Sequence, residues 1–265
     1  MNKINEVERI DVGGLLFHKV DMKETIEKIE IKIKQYSKNS PADFVLVANQ
    51  DILNQIGRIK ELNIDKLNES FLIIPDGYSI IYAAKFLKTP LKERVAGPDL
   101  MLEFIKLSEK KGYKNFFLGA KEGVAEKMSE RFLTEFRDLS ITGAYSPPFC
   151  SKFSEDENKK IIDTVNQSNS DVLWVSFGCP KQEMWIIENR DEIRVPVVIG
   201  VGAAFDFHSG NVKRAPKFIQ NMRLEWFYRI LQEPGRLWKR YFVGGVDFIK
   251  LIRRQKKRQK NTSKN

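Results

Sequence analysis

The sequence predicts an α/β fold: a mostly parallel sheet with helices on both faces, followed by a helical, basic C-terminal appendage. Three observations carry that prediction. Five short apolar runs, at 44–48, 71–74, 115–118, 172–177 and 195–201, lack a polar face, as strands buried on both sides require. All but the last lead through a turn into an amphipathic helical pattern. Positive charge is segregated: of 45 Lys and Arg and 35 Asp and Glu, 16 and 3 lie in 211–265, leaving 29 and 32 before it. All the excess behind the net charge of +10 therefore sits in the last fifth of the chain, which divides into an α/β core of 1–210 and an appendage of 211–265.

The elements follow in order. Val12-Gly13-Gly14-Leu15 turns a small hairpin, and Asp21-Met22-Lys23-Glu24 is a capping box that opens a helix to about Tyr36. The first apolar run ends at Asn49, and Asn49 or Gln50 opens a helix to Leu62. The second ends at Pro75-Asp76-Gly77, ahead of an apolar helix. Pro98 suits the first turn of a helix to Lys110. The third run ends at Gly119-Ala120 before a helix over 121–136. Ser154-Glu155-Asp156-Glu157 starts another, and a helix over 180–189 is the last of the core. After Gly200-Val201-Gly202 the segment 206–210 reads as loop. The pattern is that of a Rossmann-like sheet, in which ligands bind beyond the carboxyl ends of the strands.

Composition narrows the class. Hydrophobic residues at 42% and charged residues at 30% suit a globular protein. Cys150 and Cys179 are too few for a disulfide framework, and the opening residues carry alternating charges with no apolar run. A reducing cytoplasm is the expected compartment. The longest uncharged apolar stretch, 195–205, is far short of the ~20 residues of a spanning helix.

The candidate chemistry lies at the strand ends. Asp76 is either a helix N-cap or a general base. Gly119-Ala120-Lys121-Glu122-Gly123 is either a phosphate-binding turn or a tight turn with no ligand. Gly200-x-Gly202 lacks the third glycine of a dinucleotide fingerprint, which holds Phe205, so a nucleotide-dependent oxidoreductase is the weaker alternative. Cys179 has no histidine near it and reads as a small buried residue; His18 and His208 form no metal cluster. No Asp-x-Asp occurs, so a departing diphosphate would meet Arg, Lys and helix N-termini, and no metal or cofactor is expected.

In the appendage, Ile219, Met222, Trp226 and Ile230 fall at helical spacing, with Lys217, Arg223 and Arg229 among them. Beyond Pro234-Gly235 a second apolar face runs from Leu237 to Ile252, and 253–260 is polybasic. Aromatic faces with flanking Lys and Arg mark an interfacial anchor for an anionic membrane surface. The competing readings are a core-packed helix pair and a nucleic-acid-binding tail; the aromatics sit on apolar faces, so no nucleic acid is expected.

Several motifs in a fixed order carry a resemblance. They are Pro75-Asp76-Gly77, the run from Glu93 to Leu100, and Phe116 to Ala120 followed by Gly123 to Glu126. Then come Gly178 to Glu183 with Trp185, and Gly200 to Phe207 with Gly210. Arg214-Ala215-Pro216, Leu224-Glu225-Trp226 and Glu233-Pro234 complete the set. Over about 44–241 the chain resembles the WecG/TagA/CpsF glycosyltransferases. The resemblance implies an inverting enzyme, and the missing Asp-x-Asp a metal-independent one. It would move an N-acetylmannosamine-type sugar or a hexose from a UDP-sugar donor to a lipid-diphosphate-linked acceptor, a sugar on undecaprenyl diphosphate, in cell-surface polysaccharide or teichoic-acid synthesis. It implies Asp76 as base and Arg94 at the leaving diphosphate. Asn49, Gly119, Gln182, Glu183, Asp206 and Arg214 are then expected in substrate binding. Arg229, Arg236 and Arg240 would complete the site from the appendage, peripheral on the inner face of the cell membrane. The oligomeric state is left open, a homo-oligomer included. Two departures bear on the sugars: Val47 stands where the family often has Thr, and Tyr78-Ser79 where it usually has x-Gly.

Overall fold

A computed structural model describes residues 7–38 and 40–262. β1 (Arg9–Val12) and β2 (Leu15–His18) form the expected antiparallel hairpin. α1 (Met22–Gln35) opens on the capping box: Asp21 accepts from the Glu24 amide and Glu24 accepts from the Asp21 amide. The chain continues through β3 (Asp43–Ala48), α2 (Gln50–Gln55), α3 (Ile64–Asn68), β4 (Leu72–Pro75), α4 (Tyr78–Phe86) and α5 (Gly97–Lys111). β5 (Lys114–Gly119), α6 (Val124–Glu135), β6 (Ser140–Tyr145), α7 (Glu155–Gln167), β7 (Val172–Ser176), α8 (Lys181–Asn189) and β8 (Val197–Gly200) complete the sheet and its cover. Then come α9 (Ala204–Ser209), α10 (Lys217–Asn221), α11 (Glu225–Gln232), α12 (Pro234–Trp238), a π-helical turn (Lys239–Val243) and α13 (Gly244–Thr262).

The sheet runs β4-β3-β8-β7-β5-β6 with every neighbouring pair parallel. Alternate residues of one strand enter opposite layers. Phe44 and Leu46 pack on one face with Ile73, Leu173 and Trp185, whereas Val45 and Val47 pack on the other with Phe104, Phe117 and Trp174. The buried Trp174 indole donates to Asn115 Oδ1 at 2.9 Å, which satisfies two polar groups in the core at once. β3 has β4 on one side and β8 on the other, so the loops leaving their carboxyl ends diverge and open a crevice.

Three local expectations are corrected, and one strand, β6, is added to the five apolar runs. β6 is an edge strand with every residue half-exposed, so it has no apolar run to announce it. The helix expected to reach Leu62 stops at Gln55, and α3 is a separate element. The loop expected at 206–210 is in part helical, within α9. The amphipathic pattern from Lys217 to Leu231 is two helices, parted where Arg223 adopts a left-handed φ of 63°.

The appendage folds back onto the core. Phe248 and Ile252 join the cluster of Ile10, Val12 and Leu53, and Leu237 is fully buried. Gln255 accepts from the Gly13 amide at 2.8 Å and donates to Asp11 O, Asn54 donates to Gly244 O at 2.8 Å, and Arg58 pairs with Asp247. Among the described residues no helix is long and apolar enough to cross a membrane.

Candidate active site

A cavity of about 660 Å³ lies at the carboxyl ends of β3, β4, β7 and β8. Asn49, Asp76, Gly178, Gln182, Glu183 and the Gly200–Gly202 turn supply its core side; Arg223, Glu225, Trp226, Arg229, Arg240 and Tyr241 line it from the appendage. The strand-end residues converge because parallel strands deliver all their following loops to one edge.

Asp76 follows β4 and faces this cavity. The N-cap of α4 is Gly77, with no side-chain cap, so Asp76 does not cap that helix. Its Oδ1 instead accepts from the Gly97 amide in the first turn of α5 at 3.1 Å, which fixes the carboxylate against the cavity wall. Asn49 caps α2, accepting from the Asp51 amide at 2.8 Å. Gln182 spans the floor: its Oε1 accepts from Gly202 N at 3.1 Å and its Nε2 donates to Glu183 Oε1 at 2.8 Å. A Cβ at Gly200 would lie 2.9 Å from Gln182 Nε2, so the turn needs glycine for the amide to lie across it. Glu183 is 2% exposed and its Oε2 has no hydrogen-bond partner. Burial pushes the Cys179 thiol well up, with Glu183 and Asp51 adding to the effect, so it is held as a neutral thiol.

Arginines also line the cavity. Arg94 donates from Nε to the Asp76 carbonyl and from Nη2 to Glu225 Oε2 at 3.0 Å, and lies over the Tyr78 ring. Burial disfavours its charge, but Asp76 and Glu225 outweigh that and hold the guanidinium more firmly protonated than usual. Arg223 lies over Tyr78 and Tyr82 and donates to the Tyr82 hydroxyl at 2.8 Å. Arg229 rests on the Phe207 ring with its buried Nε unpartnered. Arg240 pairs with Asp51 at 3.2 Å.

Three expected residues do not line the cavity: Gly119, Asp206 and Arg214. Gly119 serves the sheet, since a Cβ there would lie 2.7 Å from Ser176 O. Asp206 sits in α9, where its carbonyl accepts from Val212 N and from the Ser209 hydroxyl. Arg214 holds Asp99 through two bonds of 2.6 and 2.8 Å and Glu225 Oε1 at 2.8 Å. Arg94, Glu225, Arg214 and Asp99 thus form one alternating chain of charge between core and appendage. Arg236 lies on α12, and its side chain is outside the described residues. Arg223 and Glu225 line the cavity without having been singled out for it; Glu225 lay within the Leu-Glu-Trp motif and Arg223 just before it, while Tyr78, the departure after Pro-Asp-Gly, lines the cavity as well. Among the described residues no group of three His, Cys, Asp or Glu is placed to hold a metal.

The model of the glycosyl transferase WecG/TagA/CpsF family matches residues 10–262. A Bacillus spizizenii protein is 34% identical over 174 residues, 66% of this chain and 65% of its own length. A Bacillus subtilis protein is 34% identical over 176 residues, 66% of each. A Staphylococcus aureus protein is 27% identical over 232 residues, 88% of this chain and 86% of its own length. The chain thus spans just under two thirds of the two Bacillus relatives it matches. All three are named N-acetylglucosaminyldiphosphoundecaprenol N-acetyl-beta-D-mannosaminyltransferase.

Proposed function

The chain belongs to the WecG/TagA/CpsF glycosyltransferase family, and from that premise we propose that it transfers a sugar from a UDP-sugar to N-acetylglucosamine carried on undecaprenyl diphosphate. N-acetylmannosamine, the sugar in its relatives' names, is the proposed cargo. One observation carries the reading: a carboxylate, Asp76, and several arginines line a single cavity at the strand ends.

The chemistry follows from those groups. An acceptor hydroxyl is a weak nucleophile, so a positioned carboxylate takes its proton as the oxygen attacks the anomeric carbon. Asp76 is that base. Attack from the face opposite the leaving group inverts the configuration. The bond to UDP breaks with the electron pair on the diphosphate, and Arg94, Arg223 and Arg229 meet the developing charge without a divalent metal. Gln182 and Glu183 hold the donor from the floor. Arg94 is already engaged by Glu225, so a diphosphate competes with that carboxylate for the same guanidinium.

The appendage presents Phe218, Phe227, Leu231, Trp238 and Phe242 to solvent, and polybasic α13 follows. These features support peripheral attachment to an anionic membrane on its cytoplasmic face, where a lipid-linked acceptor resides. The test is a panel of UDP-sugars incubated with a lipid-diphosphate-linked N-acetylglucosamine. UDP release that requires both substrates is the expected result; no release with any sugar in the panel overturns the reading.

A further inference from the structure

Arg223 stands at the break between α10 and α11, in a left-handed conformation with φ of 63°. Glycine occupies that region freely whereas an arginine is strained in it, and such strain persists only where the surroundings over-determine it. The surroundings here are aromatic. The Arg223 guanidinium lies 5.0 Å from the centre of the Tyr78 ring and 5.6 Å from that of Tyr82, and it donates to the Tyr82 hydroxyl at 2.8 Å. The two rings belong to α4 and stack on each other at 6.2 Å. Arg94 lies over the same Tyr78 ring, at 5.2 Å, and is itself fixed by the Asp76 carbonyl and by Glu225 Oε2. All four side chains, Tyr78, Tyr82, Arg94 and Arg223, line the cavity.

Resting on the UDP-sugar reading above, we propose that Tyr78 is the positioning residue for Arg223. Its ring takes its place from the anchored Arg94 and holds the Arg223 guanidinium at the cavity, where that arginine meets the charge gathering on the leaving diphosphate. Two guanidiniums near one another repel, and the electron-rich face of a shared aromatic ring offsets that repulsion. Arg94 has two hydrogen bonds of its own, so loss of the ring leaves it in place. Arg223 is exposed, and without the Tyr78 ring it keeps the ring and hydroxyl of Tyr82 alone among the aromatic contacts. The loss is therefore felt through Arg223. Because the bond to UDP breaks with its electron pair on the diphosphate, an arginine held there acts more on the transition state than on the bound donor.

The experiment is steady-state kinetics of the full chain with lipid-diphosphate-linked N-acetylglucosamine and UDP-N-acetylmannosamine, or whichever UDP-sugar of the panel the wild type turns over. The variants are Tyr78→Leu, Tyr78→Phe, Arg223→Gln and the double variant Tyr78→Leu with Arg223→Gln. Arg223→Gln should lower kcat about tenfold, less than the roughly hundredfold or more of a buried charge-stabilising donor, since Arg223 is exposed and one of several arginines. Tyr78→Leu keeps an apolar wall without a π face, and should reproduce that loss with KM for the UDP-sugar within about threefold of wild type. Tyr78→Phe restores the ring and should recover kcat to within about threefold of wild type. The double variant should be about as slow as either single one, whereas independent residues would multiply to roughly a hundredfold. Should Tyr78→Leu fail to fold, Tyr82→Phe carries the test at an exposed position: a loss of about threefold that vanishes in the Arg223→Gln background. Effects that multiply in either pair, a Tyr78→Leu rate equal to wild type, a loss confined to KM, or Tyr78→Phe as slow as Tyr78→Leu overturns this inference and leaves the UDP-sugar reading standing. No UDP release by the wild type from any UDP-sugar of the panel overturns both.

Discussion

Replacing Glu225 with Gln tests whether the appendage is clamped to the core by charge. The Glu225 carboxylate is 13% exposed, and its partners Arg94 and Arg214 are 16% and 18% exposed, so solvent screens these pairs little. Glutamine keeps one accepting oxygen but turns an amide N–H toward the other guanidinium, so one of the two charge-assisted bonds is lost and the survivor is weakened. Hydrogen bonds to charged groups contribute about 1.5–3 kcal/mol each, and Arg214 retains its two bonds to Asp99, which together put the loss at about 2–3 kcal/mol. If α11 opens from the core as a local unit, that loss raises its open population roughly 30- to 150-fold. Native-state hydrogen exchange of the α11 amides reads this directly, and β3 and β7 amides serve as the internal control. Because the ion pair lowers the Glu225 carboxyl, its contribution is present above the ordinary carboxylate range and fades as pH falls below it. The wild type should therefore approach the variant's exchange pattern in acid. Protection of α11 within about twofold of wild type at neutral pH would refute the clamp.

Four further outcomes are expected. Asp76→Asn keeps the acceptor for Gly97 N but cannot take a proton, so turnover falls about 10²-fold or more while donor binding persists; near-normal turnover removes Asp76 as base. Sugar transfer continues in excess EDTA, and a loss restored by Mg²⁺ or Mn²⁺ would contradict the metal-free mechanism. Changing Lys256, Lys257, Arg258 and Lys260 to Gln weakens binding to anionic vesicles by roughly a hundredfold or more, at about 1 kcal/mol per basic residue; equal co-sedimentation of variant and parent would count against the anchor. Glu183 is raised from 4.5 to about 7 in the folded protein, so its contribution to stability is complete below 4.5 and lost as pH rises to about 7. Glu183→Gln should therefore gain about 3 kcal/mol on the wild type across that window in urea unfolding; a constant difference would mean the carboxyl is not raised.

Five of the six parallel strands were legible because burial on both faces leaves no room for polar residues, as in Leu72–Pro75 and Val172–Ser176. β6 was not, since an edge strand with Thr142 and Gly143 at its centre carries no such run. α9 escaped because six residues without a side-chain cap leave too short a pattern to read. Asp76, Asn49 and the Gln182-Glu183 pair were legible as strand-end residues, and the cavity gathers them. The pairings of Arg214 with Asp99 and of Glu225 with Arg94 were not: the partners lie 115 and 131 residues apart, and only tertiary folding brings them together. Gly119 and Asp206 followed their motifs to the end of β5 and into α9, outside the cavity wall.

The docking of α13 also sets an order of events in folding. Gly13 and Gln255 meet across 242 residues, and Asn54 and Gly244 across 190. Chain entropy must be lost before contacts this distant form, so they come late, after the nearer pairings of the sheet. Until then Ile10, Val12 and Leu53 lack their cover, and Arg229 and Arg240 have not reached the cavity. The unroofed species is a sheet with an exposed apolar flank and no working site. Exposed apolar surface of that kind favours self-association, so whatever speeds the closure of α13 should raise the yield of active protein before it changes any rate of catalysis.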